Sequence, residues 1–227
     1  HKMKKLTIAI FLLLSSFSLV SAEIGFKIGV SAEVGEFATS GTENENGEVT
    51  AVQKEQAFIG MGSYFIEQRF GFLPGPLARI GVGYSYVPHD LKSGTSARRT
   101  DDLQVAALAG VTRPVHNQVS ADLSNIETQY VTVNLFDWLY VKAGTVEMDV
   151  KTTETLETGS AYPDVSLSGD VIGFGLHHQS ESGFFGRLEY LDTSFGGTTL
   201  TSTNADNTVT LKNVDGETLK VSFGKAF

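Results

Sequence analysis

The chain has 227 residues, no cysteine, and 17 basic against 26 acidic residues, a net charge of −9. That is one domain's worth of chain. The lack of cysteine excludes disulfide frameworks, thiolate metal sites and cysteine nucleophiles, and the acid excess argues against nucleic acid as a partner.

In chain order, the first feature is Met3-Lys4-Lys5, the apolar run Leu6 to Val20, and the small residues Ser21 and Ala22. A basic start, a short apolar stretch and small residues before a cut predict a secretory signal peptide over residues 3–22, with His1 and Lys2 lying ahead of the start methionine. The run is shorter than the roughly 20 apolar residues a membrane helix needs. Taking Lys2, Lys4 and Lys5 from the 17 basic residues leaves 14 against 26 acidic ones, a net charge of −12 for the exported chain. Nothing downstream is apolar for long enough to be a membrane helix. A membrane crossing would therefore need a closed barrel, in which every strand's backbone groups are paired.

Residues 23–227 form the second region. Ile24, Phe26, Ile28, Val30, Ala32 and Val34 alternate with Gly25, Lys27, Gly29, Ser31, Glu33 and Gly35, the period of two of a strand with an apolar and a small-polar face. Glycine and charge on the second face suit a wet barrel interior better than a dry core. An acidic loop at Ser40–Glu48 follows, then a strand over Ala57–Phe70 whose two parities both carry apolar residues. Leu73-Pro74-Gly75-Pro76 predicts a rigid turn. A third strand sets Ala78, Ile80, Val82, Tyr84 and Tyr86 against Arg79, Gly81, Gly83 and Ser85. A long polar stretch from Pro88 to about Asp122 leads to strand four, about Ser124–Phe136. Asp137-Trp138 turns into strand five, about Leu139–Lys151. A loop follows over Thr152–Leu167, then strand six, about Asp170–Gln179, a turn at Ser180–Gly183, and strand seven over Phe184–Phe195. A Thr/Ser/Asn loop leads to strand eight, Thr208–Phe227.

The connections alternate strictly between long and short, the pattern of an outer-membrane barrel with turns on one side and loops on the other. Aromatic residues group at both ends of the strands. Phe70, Phe72, Phe136, Trp138, Tyr140, Phe184, Phe185 and Phe227 lie toward the short turns, and Phe37, Tyr84, Tyr86, Tyr190 and Phe195 toward the long loops. Two such groups predict two interfacial belts. The fold class expected is all-β: a transmembrane antiparallel up-and-down β-barrel of eight strands. Ten strands is the alternative, because Leu103–Val111 is apolar and reads either as a short helix or as half of an extra hairpin.

With a signal segment, alternating strands and a terminal aromatic, residues 23–227 resemble the small OmpA-like or opacity-type outer-membrane β-barrel superfamily. The resemblance implies a Gram-negative outer-membrane location, outer-membrane lipid as surroundings and a monomer. It also implies delivery by the barrel-assembly machinery, which reads a last-strand signal met here by Leu219, Val221, Phe223 and Phe227. Lys225 stands where that family places an aromatic residue.

The candidate site is a lumen charge network of Lys27, Glu33, Arg79, Arg187 and Glu189, with Lys142 and Lys220 as further members. It reads as ion pairs that fill a narrow barrel, because eight strands leave room for little more than side chains and buried charges persist only when paired. His178-Gln179-Ser180 has the His-x-Ser spacing of outer-membrane lipid A deacylases, yet it falls at a short turn, away from the outer leaflet. No cofactor motif, metal-spaced histidine cluster or calcium loop is present. The function expected is a non-enzymatic structural or surface-interaction barrel acting through its long loops on an unidentified extracellular ligand. A narrow pore is the alternative, and a lipid A-modifying hydrolase a distant third.

Overall fold

A computed structural model describes residues 25–45, 48–49, 53–92, 96–100, 115–155, 161–203 and 207–227. The predicted signal segment and Leu103–Val111 lie outside them. Eight long antiparallel strands form the wall: β1 (Phe26–Glu45), β2 (Gln53–Arg69), β3 (Ile80–Tyr86), β4 (Val115–Asn134), β5 (Leu139–Thr155), β6 (Val165–Gln179), β7 (Phe184–Phe195) and β8 (Val214–Ala226). Each pairs with its chain neighbours, and β1 pairs with both β2 and β8, so the ring is closed.

The registers fix the barrel's geometry. A path of paired residues leaves β1 at Phe37 and passes through Gly216, Thr193, Val171, Gly144, Tyr130, Gly83 and Glu67. It returns to β1 at Lys27, ten residues lower. A shear of ten over eight strands, with about 3.3 Å per residue and about 4.8 Å between strands, tilts the strands roughly 40° from the barrel axis.

The short connections match their predicted places. Gly75–Arg79 is a single 3-10 turn between β2 and β3. Gly183, at φ 87°, closes the turn between β6 and β7, a left-handed conformation that glycine adopts without strain.

On the other side the strands run further than the sequence reading placed them. β1 continues to Glu45, β2 starts at Gln53, β4 at Val115 and β6 at Val165, and β5 ends at Thr155. Within the expected loop from Pro88 to Asp122, Leu91–Lys92 and Ser96–Thr100 pair onto β4 and extend the wall beside it. Thr208–Leu211, expected as the start of strand eight, continues the β8 ladders outward past a break at Lys212-Asn213. It pairs with the upper end of β1 one residue out of step, and with Thr198–Thr201 in the register of the β7–β8 ladder. β4 carries a bulge between Ser124 and Glu127, where Asn125 has φ 51°. Above the Tyr64–Tyr86 pair, β2 and β3 have no further pairing among the described residues, and His89 Nε2 accepts the Gly62 N–H at 3.0 Å.

Candidate functional site: the barrel interior

Strand alternation decides which side chains enter the barrel. On β1, Lys27, Ser31 and Glu33 face in, while Ile28, Val30 and Val34 face out. On β2, the strand of uncertain face, Ser63, Phe65 and Glu67 face in and Tyr64 and Ile66 face out. Tyr130 and Thr132 of β4, Tyr140 and Lys142 of β5, Phe185, Arg187 and Glu189 of β7, and Thr218, Lys220 and Ser222 of β8 complete the buried lining.

In the half nearest the short turns these charges are paired. Arg187 grips Glu67 with both terminal nitrogens, each bond 2.7 Å. This is the two-pronged geometry that makes guanidinium–carboxylate pairs strong and directional. Lys27 reaches the same carboxylate at 3.5 Å and the Tyr130 hydroxyl donates to it at 3.5 Å. Lys142 pairs with Glu189 at 3.0 Å, and Lys220 with Glu33 at 2.8 Å, where Ser63 also donates at 2.8 Å. The cations lie against rings as well. Lys142 stands 3.9 Å from the Tyr130 centroid, and the Arg187 guanidinium is 5.0 Å from Phe185, 5.2 Å from Tyr140 and 5.4 Å from Phe65. None of the seven ion-paired side chains is more than 9% exposed.

The interior glycines explain how the rings fit. Gly83 lies opposite Tyr130, and Gly175 opposite Tyr140. A Cβ at either glycine would overlap the facing phenol ring. Glycine on the inner face, read from the sequence as a sign of a wet lumen, here makes room for packed aromatic side chains.

In the half nearest the long loops the interior is apolar. Val146, Met148 and Val150 of β5, Leu167 of β6 and Phe195 of β7 form a buried cluster, with Phe37, Leu123, Ile126, Val165 and Val214 packed against it. Two layers, one ion-paired and one hydrophobic, thus lie in series along the axis.

The sequence-predicted residues divide accordingly. Lys27, Glu33, Arg187 and Glu189 are in the interior, as are Lys142 and Lys220, but Arg187 is bonded to Glu67 and not to Glu189 or Glu33. Arg79 lies apart from them. It ends the 3-10 turn, is exposed, and donates to the Leu135 carbonyl oxygen at 3.2 Å, because its strand starts one residue later, at Ile80. Glu67, which accepts most of the hydrogen bonds in the network, was absent from the prediction. Its strand has apolar residues on both parities, and the one available signal was that Glu67 shares parity with Ser63.

Among the aromatic residues assigned to the belts, Tyr140, Phe185 and Phe195 are buried inside, and Phe37 packs on the inner apolar cluster. The exposed inner belt is Phe72, Phe136, Trp138, Phe184, Phe223 and Phe227. Tyr64 and Tyr190 face outward at the opposite end. The last-strand residues Leu219, Val221, Phe223 and Phe227 are all exposed on the outer wall. Lys225 takes the family's aromatic position with its ammonium 4.8 Å from the Phe184 ring and 5.9 Å from that of Phe227.

At the short-turn mouth, a hollow of about 350 Å³ is lined by Arg69, Asp137, Trp138, His177, His178 and Gln179. The Ser180 hydroxyl is engaged in its own turn, 2.9 Å from the Ser182 hydroxyl and 3.0 Å from the Phe184 carbonyl oxygen. Both contacts lie within the turn between β6 and β7. Among the described residues no group of three or more histidines and carboxylates is arranged to hold a metal ion.

A closed ring with an apolar outer belt, aromatic residues at its edges and ion pairs inside is a transmembrane β-barrel of the outer-membrane type. No family model and no curated protein matches the chain. Among solved structures it is similar to Ail, the attachment invasion locus protein of Yersinia pestis, at 14% identity over 88% of this chain and 99% of that one, with a TM-score of 0.35. It is similar also to the outer membrane protein OprG of Pseudomonas aeruginosa, at 12% identity over 89% and 98%, TM-score 0.44. A third likeness is to the outer membrane protease OmpT of Escherichia coli, at 10% identity over 93% and 99%, TM-score 0.42. The class rests on the barrel's own ring and belt.

Proposed function

We propose that this protein is a sealed outer-membrane barrel that serves as a scaffold for its long surface loops, without catalytic activity and without a conducting lumen. The observation that supports this most directly is the double filling of the interior. The Arg187–Glu67 layer leaves its side chains almost fully buried, and the Val146–Phe195 cluster occupies the same axis further out. A conducting pore needs a continuous aqueous path lined by groups that hold ions weakly enough to release them. Tight mutual pairing of the lining charges works against that. The exported region is then residues 23–227, following removal of residues 3–22, and the outer belt on β8 serves both as lipid contact and as the segment offered to the assembly machinery.

The test is planar-bilayer recording on the purified, folded protein. The expected result is no steady unitary current at moderate voltage. A stable current with ion selectivity that changes in Arg187→Ala would replace the scaffold reading by a pore.

A further inference from the structure

On six of the eight strands the outer wall changes character at about one level of the barrel, while Phe58 of β2 stays exposed beside Glu36, and the interior changes in the opposite sense just beyond that level. On four adjacent strands the outward residue two positions above the last apolar or aromatic one is an exposed carboxylate: Glu36 beyond Val34, Glu217 beyond Leu219, Asp192 beyond Tyr190, and Asp170 beyond Ile172. On β4 and β5 the change is from Val131 to Gln129 and from Ala143 to Thr145. Below this level the charged outward residue on the described strands is Lys225, which lies within the inner aromatic belt against Phe184 and Phe227.

Above it the outer wall is held by hydrogen bonds suited to water. Asp149 accepts from Ser166 at 2.5 Å and from Asn125 at 2.8 Å, and Asp215 accepts from Ser194 at 2.6 Å. The two bonds to Asp149 hold its carboxyl below the usual carboxylate range. At the boundary, tyrosine hydroxyls point up to the first carboxylates, Tyr190 to Glu217 and Tyr84 to Glu127. Inside, the lining passes from Lys27, Glu67, Arg187 and Glu189 to Val146, Met148, Val150, Leu167 and Phe195.

A barrel in lipid places apolar residues outside and polar ones inside. A barrel in water does the reverse, since its only dry region is its core. This chain does each in turn along one axis. We infer that the hydrocarbon ends at the Tyr64–Tyr190 level and that the upper half of the barrel is a water-immersed stalk. Its acidic wall lies against the hydrated headgroup layer of the outer leaflet. From Glu36 to the end of β1 at Glu45, at about 3.3 Å per residue and roughly 40° of tilt, the stalk lifts the loops on the order of 20 Å above the hydrocarbon. The inference rests on the reading of the chain as a membrane-spanning barrel and adds where the membrane stops and what touches the wall beyond it.

Because the full chain lacks cysteine, a single introduced cysteine reports one place without interference. Six outward, exposed positions serve: Phe174→Cys, Leu188→Cys and Val221→Cys below the boundary, Asp170→Cys, Asp192→Cys and Glu217→Cys above it. Each is labelled with an environment-sensitive fluorophore in the folded protein and reconstituted into phosphatidylcholine vesicles with brominated acyl chains. The expected result is loss of emission to lipid bromine at the first three and no loss at the last three, with aqueous iodide giving the opposite pattern. Bromine quenching at Asp170 and Asp192 equal to that at Phe174 and Leu188 overturns the stalk while leaving the membrane barrel intact. Absence of bromine quenching at all six positions overturns the membrane-spanning reading itself.

Discussion

Arg187 and Arg79 show how much one residue's position matters for the same side chain. Arg187 is 6% exposed, holds Glu67 by two bonds of 2.7 Å and lies among three aromatic rings. Its replacement by alanine leaves a buried carboxylate with Lys27 at 3.5 Å as its remaining ion partner. Breaking a buried pair in this way costs about 3–5 kcal/mol, with entering water reducing the loss. Arg79→Ala at an exposed turn is expected within about 0.5 kcal/mol of the parent. Urea unfolding in lipid vesicles measures both. A double-mutant cycle should give a larger coupling of Arg187 with Glu67 than with Glu189 or Glu33. Equal couplings would mean that the carboxylates share the guanidinium and that the pairing described here is not the dominant one.

At the scale of elements, cross-strand pairs place a glycine beneath each interior tyrosine. Gly175 of β6 faces Tyr140 of β5 with no room for a Cβ, whereas a Cβ at Gly60 of β2 would meet nothing nearer than 4.0 Å. Gly175→Val therefore forces either the ring or the strand to move, an overpacking cost of about 1–3 kcal/mol or more. Gly60→Val faces outward and should be tolerated. The readout is the fraction of folded, heat-modifiable protein on an unboiled gel after refolding into lipid, expected to fall for Gly175→Val and to match the parent for Gly60→Val. Similar folded fractions for both would show that the tyrosine does not depend on the glycine for its place. The strand ends follow the same physical logic. β4, β5 and β6 were read too short because, past the lipid boundary, the outer face becomes polar while the inner face becomes apolar, so the alternation that marks a lipid-facing strand changes sense midway.

For the molecule as a whole, closure between the first and last strands removes every free edge from the membrane-spanning part, as hydrocarbon requires. That seam is the β1–β8 ladder from Lys27↔Ala226 to Ala38↔Asp215, and it is extended at its lower end by a bond of 2.8 Å from the Phe227 N–H to the Phe26 carbonyl oxygen. The Phe227 ring lies 6.4 Å from that of Phe26 and 5.9 Å from the Lys225 ammonium. Deleting Phe227 removes the last seam bond and part of the inner aromatic belt. We expect lower outer-membrane levels and more periplasmic degradation, measured by cell fractionation and pulse-chase. Assembly at the parental rate would deny this residue a part in the recognition signal proposed for it.

The sequence by itself determined the class of fold, because the information is local. A period of two shows strands, alternating connection lengths show which ends are turns, and an apolar outer parity on β1, β3, β6 and β8 shows which face meets lipid. It also placed most of the lumen charges, since parity follows from counting along one strand. What it left open depends on which residues from distant strands meet. Whether Arg187 finds Glu67, 120 positions away, or Glu189 follows from the shear and tilt of the closed ring, and no single strand carries those. The strand with Glu67 has apolar residues on both parities, so only its pairing with β1 settled which face was inside. Thr208–Leu211 alternates as a barrel strand should, and its pairing with both β1 and Thr198–Thr201 carries strand eight outward past the break at Lys212-Asn213. The filled interior likewise came from three dimensions: an inner glycine means space in one dimension, and the ring of a tyrosine from the next strand occupies it.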